Sequence, residues 1–328
     1  MQEMVMIAAF IAIYAIGVGT ISSMVGIGGG IFNTPLLMIV FLVGVPFVAQ
    51  IAPATALVAA LFLAIASSIS YWRQNPRPII PKVGLFLAIT TAPGSVIGVL
   101  LRTMIMDDYA LRLIFGISLM PVAIKMLFAA RRKKGDIVSE LAGYDMATLT
   151  NKRLAYSLFG GFIGGISAGM LGIGGGAVIV PVLSILMGLP MHAAVATSMF
   201  TMMITASTGT AVNYLNGFIN PYYAISLGIG MVLGAQIGSR LAPRVNSVQL
   251  KRVFGLILVF PLVKMMKLGQ MWLDPSGLDI LTSTIGDIII WLFIVVPIGL
   301  LRLYQIRKQS ATTTEPETQS EPITPESS

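Results

Sequence analysis

The chain has 328 residues, 56% of them hydrophobic and 10% charged, whereas soluble domains carry roughly 25% charge. That composition excludes a water-soluble globular protein and makes lipid the solvent for most of the sequence. Cysteine is absent, which excludes a disulfide framework, a thiolate nucleophile and a thiolate metal site. The net charge of +8 does not mark a nucleic-acid binder, because the basic residues sit beside apolar segments, as the positive-inside rule requires.

In chain order the apolar segments are about 4–24, 31–45, 50–72, 79–101, 109–129, 154–171, 177–189, 192–215, 222–241, 249–268 and 284–303. Met1-Gln2-Glu3 lacks the basic start of a signal peptide, and the first segment shows no small-residue cleavage site. Gly26-Ile27-Gly28-Gly29-Gly30 follows that segment, and Gly172-Ile173-Gly174-Gly175-Gly176 follows the sixth. The segment after each glycine run rises only about 20 Å at about 1.5 Å per residue, short of the roughly 30 Å hydrocarbon core. Each glycine loop is therefore expected at depth, where non-helical backbone survives only if it is buried in protein or lines a wet cavity.

The repetition extends past the glycines. Pro35 answers to Pro181, Val45-Pro46 to Leu189-Pro190, Tyr71 to Tyr214, Gly94 and Gly98 to Gly234 and Gly238, and Pro121 to Pro261. The predicted organisation is a first transmembrane repeat over 1–130, a basic linker over 131–153, a second repeat over 154–268, an extra span within 269–303 and a Ser/Thr/Glu/Pro tail over 304–328 expected to be disordered. With the linker in the cytoplasm, only Arg102, Arg112, Lys264 and Lys267 of the 21 lysines and arginines fall outside. Five segments per half is an odd number, so the halves are expected to cross the membrane in opposite directions. The predicted fold is an all-α polytopic membrane protein: two inverted repeats with helices broken at the glycine loops, plus one C-terminal span. The N-terminus lies outside, and the linker and tail lie in the cytoplasm.

Two loops entering from opposite faces are the arrangement of alternating-access carriers. Each precedes a helix start, whose free N–H groups and positive dipole end favour an anion. No Asp or Glu falls within a span, only Asp287 nears the edge of one, and this argues against cation transport. The candidate substrate-binding residues are Gly26, Gly28, Gly29, Gly30, Asn33, Thr34 and Thr55 in the first half. In the second they are Gly172, Gly174, Gly175, Gly176, Thr197 and Ser198. No metal-ligand spacing, P-loop lysine or catalytic pairing is present, so neither an enzyme nor a cofactor is expected.

The Gly-Ile-Gly-Gly-Gly runs with Pro35 and Pro181, the small and hydroxyl residues after the second proline of each half, and the Gly94/Gly98 and Gly234/Gly238 pairs resemble the sulfite exporter TauE/SafE family. The resemblance covers roughly residues 15 to 268. It implies transport of sulfite, organosulfonates or related sulfur-containing anions across the cytoplasmic membrane. Beside the carrier stand a passive anion channel and a membrane scaffold, and the sequence leaves room for a homo-oligomer. Each residue also has a plainer reading. The glycines serve close helix packing, which is the favoured reading for Gly94/Gly98 and Gly234/Gly238, and the hydroxyls of Thr197 to Thr210 bond to neighbouring helices or to their own backbone. His192, the one histidine, reads as an interfacial polar residue.

Overall fold

The computed structural model describes residues 2–42, 44–104 and 149–245 and a few isolated positions beyond them. All of the helices below belong to the first of two compact units, Met1–Lys267; of the second, Leu268–Ser328, only Gly286, Ile289 and Leu292 are described. The fifth segment of each half, the central linker up to 148, the extra span and the tail lie outside the described residues.

Helix α1 (Gln2–Val25) ends where the first glycine run begins, and α2 (Gly30–Leu36) starts at its last glycine. Pro35 lies within α2, and the helix continues as a π turn, Leu37–Phe41, in which Leu42 N donates to Leu37 O at 2.8 Å. A long helix, α3 (Val48–Trp72), follows, and then α4 (Pro81–Met104). The second half repeats the order. Helix α5 (Asn151–Leu171) starts inside the predicted linker. Helix α6 (Gly176–Pro181) passes into a π turn, Val182–Leu186, and is followed by α7 (Met191–Leu215) and α8 (Pro221–Leu241). Among the described residues, five helices are long and apolar enough to cross a membrane: Met6–Val25, Val48–Trp72, Pro81–Met104, Asn151–Leu171 and Pro221–Arg244. Helix α7 is as long as α3 but threaded with hydroxyls. The two broken pieces, Gly30–Phe41 and Gly176–Leu186, are short.

Contact register fixes the helix directions. A Cβ on Gly94 would press on Phe162 O and one on Gly98 on Ile166 O, so α4 and α5 advance together. Gly230, Gly234 and Gly238 meet Ala12, Ile16 and Thr20 in the same way, so α1 and α8 are parallel. Both small-residue pairs therefore pack helices, as expected. Thr55, Ala66 and Ser70 of α3 bond to Asn220, Gln236 and Ser239, which aligns α3 with α8. Ile80, Thr91 and Arg102 bond to Thr197, Thr205 and Asn213, which aligns α4 with α7. Between α3 and α7 the order reverses: Gly209 faces Leu57 while the Phe200 ring lies 6.5 Å from that of Trp72. Thus α1, α3 and α8 run one way and α4, α5 and α7 the other.

The antiparallel pair α3 and α7 forms the centre. The flanking helices turn large apolar side chains outward, among them Phe10, Ile13, Ile89, Phe159 and Ile225. In water such a surface would drive aggregation; in a bilayer it is the solvated face.

Candidate functional site

The two glycine loops meet at the centre, backbone against backbone. A Cβ on Gly30 would overlap the Gly172 carbonyl oxygen and lie 2.7 Å from Ile173 Cα. Reciprocally, a Cβ on Gly176 would overlap the Gly26 carbonyl oxygen and lie 2.8 Å from Ile27 Cα. Only hydrogen fits at either crossing. The turns themselves need glycine as well: φ is +81° and +72° at Gly26 and Gly28, and +71°, +83° and +85° at Gly172, Gly174 and Gly175. Gly29 departs from its counterpart Gly175, with φ at −63°. Residues 25–31 and 171–177 are all buried.

Side chains tie each loop to the opposite half. Ser198 Oγ, on α7, donates to Gly26 O at 2.9 Å and is 2.8 Å from Val195 O. Thr34 Oγ1, on α2, donates to Leu171 O at 3.0 Å, at the mouth of the second loop. The Met202 sulfur of α7 lies beside both Gly28 and Gly174, at 2.6 Å from the place where either Cβ would stand.

Thr55 and Thr197 have matching tasks. Thr55 Oγ1 accepts from Asn220 N and Thr197 Oγ1 accepts from Ile80 N, each at 3.1 Å. Each N–H belongs to the residue before the proline that starts α8 or α4, so it has no partner within its own helix. Each threonine thus caps a helix of the other half. Further along α7, Thr201, Thr205 and Thr208 bond to Gly84 O, Thr91 Oγ1 and Ala92 O of α4 and also to their own helix backbone. The plainer reading therefore holds for this part of the hydroxyl run. His192 is half-buried at the first turn of α7.

Asn33 is different. It is fully buried one turn into α2, and both its amide oxygen and its amide nitrogen lack a hydrogen-bond partner. The amide nitrogen lies 3.3 Å from where a Cβ on Gly29 would stand, so the unpaired group faces the first loop. An amide left unsatisfied in this way is costly, about 1–3 kcal/mol for each group, and native structures hold few such groups. In the second half the same place after the loop is Ile179, so polarity is concentrated on one side.

Sequence reasoning assigned Arg102 to the outer surface as a topology marker, yet its side chain is completely buried. Its Nη1 donates to Gly169 O at 3.0 Å and its Nη2 to Asn213 Oδ1, while Nε has no partner. Position near the end of a span made it look like one more flanking charge. Only the convergence of α4, α5 and α7 reveals it as interior. Tyr71 and Tyr214, matched in sequence, are not equivalent in space: Tyr71 is buried and Tyr214 is 75% exposed. Counted from the matched pair Thr55 and Thr197, the position that answers to Tyr71 is Asn213.

Fold and site together define a multi-pass helical membrane protein whose two broken helices meet at its centre. The chain belongs to the sulfite exporter TauE/SafE family, which it matches over residues 11–265, and it is thereby placed among membrane transporters. It is 27% identical over 266 residues to the probable membrane transporter protein YunE of Bacillus subtilis (strain 168), covering 76% of this chain and 95% of that protein. It is also 27% identical over 277 residues to the probable membrane transporter protein MJ0441 of Methanocaldococcus jannaschii, covering 80% of this chain and 97% of the relative. A probable membrane transporter protein of Xylella fastidiosa (strain Temecula1) is 30% identical over 255 residues, 74% of this chain and 88% of its own length. No solved structure matches the chain.

Proposed function

We propose that this protein is a secondary carrier of a small anion, sulfite or an organosulfonate, working by alternating access of two inverted repeats in the cytoplasmic membrane. The observation that carries the reading is the crossing of the two glycine loops between helices of opposed direction. Each helix of the first half runs opposite to its counterpart in the second, α1 to α5, α3 to α7 and α4 to α8. Inverted halves of this kind supply two outlines of similar energy, one open to each face.

The substrate station in this reading is the pair of loops with Asn33. The helix starts at Gly30 and Gly176 bring their positive dipole ends to it, each contributing about 0.3–2 kcal/mol toward an anion. The Asn33 amide adds a donor near Gly29, and the Ser198 hydroxyl holds the same loop at Gly26 O. Holding of this strength is weak, which suits a carrier that must release its load. In the described conformation the loops close on one another, so the carrier cycle requires them to part. Thr55 and Thr197 contribute by fixing the starts of α8 and α4, and Thr34 by fixing the second loop.

Flux into proteoliposomes, measured with sulfite, sulfoacetate, taurine and sulfate, tests the substrate. Saturable uptake accelerated by internal counter-substrate is expected; linear high flux would make the protein a channel, and absence of flux for all four would end the proposal. Orientation is tested separately, since the natural chain has no cysteine. Asn75→Cys, in the connection after α3, and Asn216→Cys, after α7, are both at exposed positions. A membrane-impermeant maleimide applied outside intact cells is expected to label position 216 and spare position 75. Labelling of both from one side would refute inverted halves.

A further inference from the structure

We propose that Arg102, with Ser95 and Asn213, forms a second anion site, between the end of the α4/α5/α7 cluster and the second glycine loop, that takes a singly charged oxyanion. The assignment rests on the anion-carrier reading for its biological use. Its physical basis is independent.

A guanidinium that is 0% exposed needs compensating charge, and helices α4, α5 and α7 carry no Asp or Glu. Its two neutral partners, the Gly169 carbonyl and the Asn213 side-chain oxygen, use Nη1 and Nη2, and the Nε–H is left over. The carbonyl ends of the surrounding helices offset part of the guanidinium charge, but the Nε–H itself still has no acceptor. Ser95, seven residues earlier on α4, is also fully buried with its hydroxyl unpartnered. Arginine side chains on a helix lean back toward its N-terminus, the direction of Ser95. The residues that bind Arg102 close the link: a Cβ on Gly169 would press on the Ser95 backbone, and Asn213 Nδ2 donates at 2.8 Å to Gly209 O, on the glycine that packs against the Ser95 side chain. Guanidinium N–H and hydroxyl O–H are the donor set for an oxyanion.

Comparison with the opposite seam shows that the charge is an addition. There Tyr71 Oη donates to Ser23 O at 2.8 Å, and Ser23 Oγ accepts from Ser67 Oγ at 3.0 Å. The position that answers to Arg102 is Ala242, just past the end of α8, and neutral hydrogen bonds join α1, α3 and α8 at that seam. The fold needs a bridge at this place and does not need a positive one. Gly169 lies three residues before Gly172, and Asn213 lies eleven residues along α7 from Met202, about 16 Å at about 1.5 Å per residue. The site thus stands on the approach to the loops.

The test uses the full chain in nanodiscs, with sulfite and methanesulfonate as probes in calorimetric titration, and flux in proteoliposomes for the same variants. Arg102→Gln is expected to weaken binding at least tenfold. Asn213→Asp is the decisive variant: it keeps an oxygen for Nη2 and supplies a built-in counter-charge that offsets the lost bond to Gly209 O, so the protein should still fold, but it should displace the probe and weaken binding at least tenfold. A purely structural Arg102 predicts wild-type affinity in a well-folded Asn213→Asp, and that result overturns the site even if Arg102→Gln fails to fold. Wild-type flux with unchanged KM in Asn213→Asp overturns the site while the carrier stands. Probe binding that is lost in Asn213→Asp, with no flux in the wild type, supports the site while the carrier reading falls.

Discussion

Glycine-to-alanine exchange at the loop crossing gives a measurable contrast in sign. Gly30 lies in the first turn of α2 and Gly17 lies within α1, so alanine suits the backbone at both and gains up to about 1 kcal/mol in helix propensity. Around Gly17 no atom stands within 4 Å of the new Cβ. At Gly30 the Cβ overlaps the Gly172 carbonyl oxygen and lies 2.7 Å from Ile173 Cα, where carbon contacts prefer about 3.5–4.0 Å. The loops must separate by about 1 Å, and because the obstacle is backbone, no rotamer change relieves it. Overpacking of this kind costs about 1–3 kcal/mol, and a backbone obstacle puts the cost at the upper end. Set against the propensity gain, the net loss for Gly30→Ala is about 2 kcal/mol, or roughly 4–8 °C of melting temperature. Gly176→Ala should behave alike. Their double variant should lose less than the sum, because loops parted for one methyl already admit the second. Melting of the detergent-solubilised protein, followed by fluorescence-detected size exclusion, reads all four variants. If Gly30→Ala and Gly176→Ala melt at or above the wild type, as Gly17→Ala should, the loops do not meet as described.

Thr55→Val and Thr197→Val each strand a backbone N–H at the start of α8 or α4 and should cost about 1–3 kcal/mol by thermal melting, with Thr→Ser retaining most of the stability. Asn33→Leu removes a buried amide that has no protein partner, so the substrate-free protein should melt no lower than the wild type while sulfite affinity falls severalfold; a large drop in melting temperature would mean the amide has a structural partner. Tyr71→Phe deletes the hydrogen bond to Ser23 O in the tightly packed neutral seam and should cost about 1–2 kcal/mol, with transport KM unchanged.

Much of the architecture was legible in one dimension because lipid imposes long apolar runs and charges collect at their ends. The eight described helices fall where hydropathy put them, and the pieces after the glycines are as short as their composition required. The glycines were legible too, since a repeated run at matching places ahead of a proline marks a turn that other residues cannot make. What the hydroxyls do was not legible. Thr55 and Thr197 are candidates for the substrate site by residue type, but their oxygens cap helices of the opposite half. A helix start without an acceptor for its own N–H finds one only when the halves have packed.

The sequence alone therefore determined that this is a polytopic helical membrane protein of two repeated halves, because solvent class and repetition are properties of composition and order. Only the tertiary structure decided that the glycine loops touch, that Asn33 is left unsatisfied beside them and that Arg102 lies in the interior. The reason is physical. A residue's partners across a helix seam are set by which faces meet, and neither charge nor spacing along one chain specifies the face that a neighbour from the other half will present.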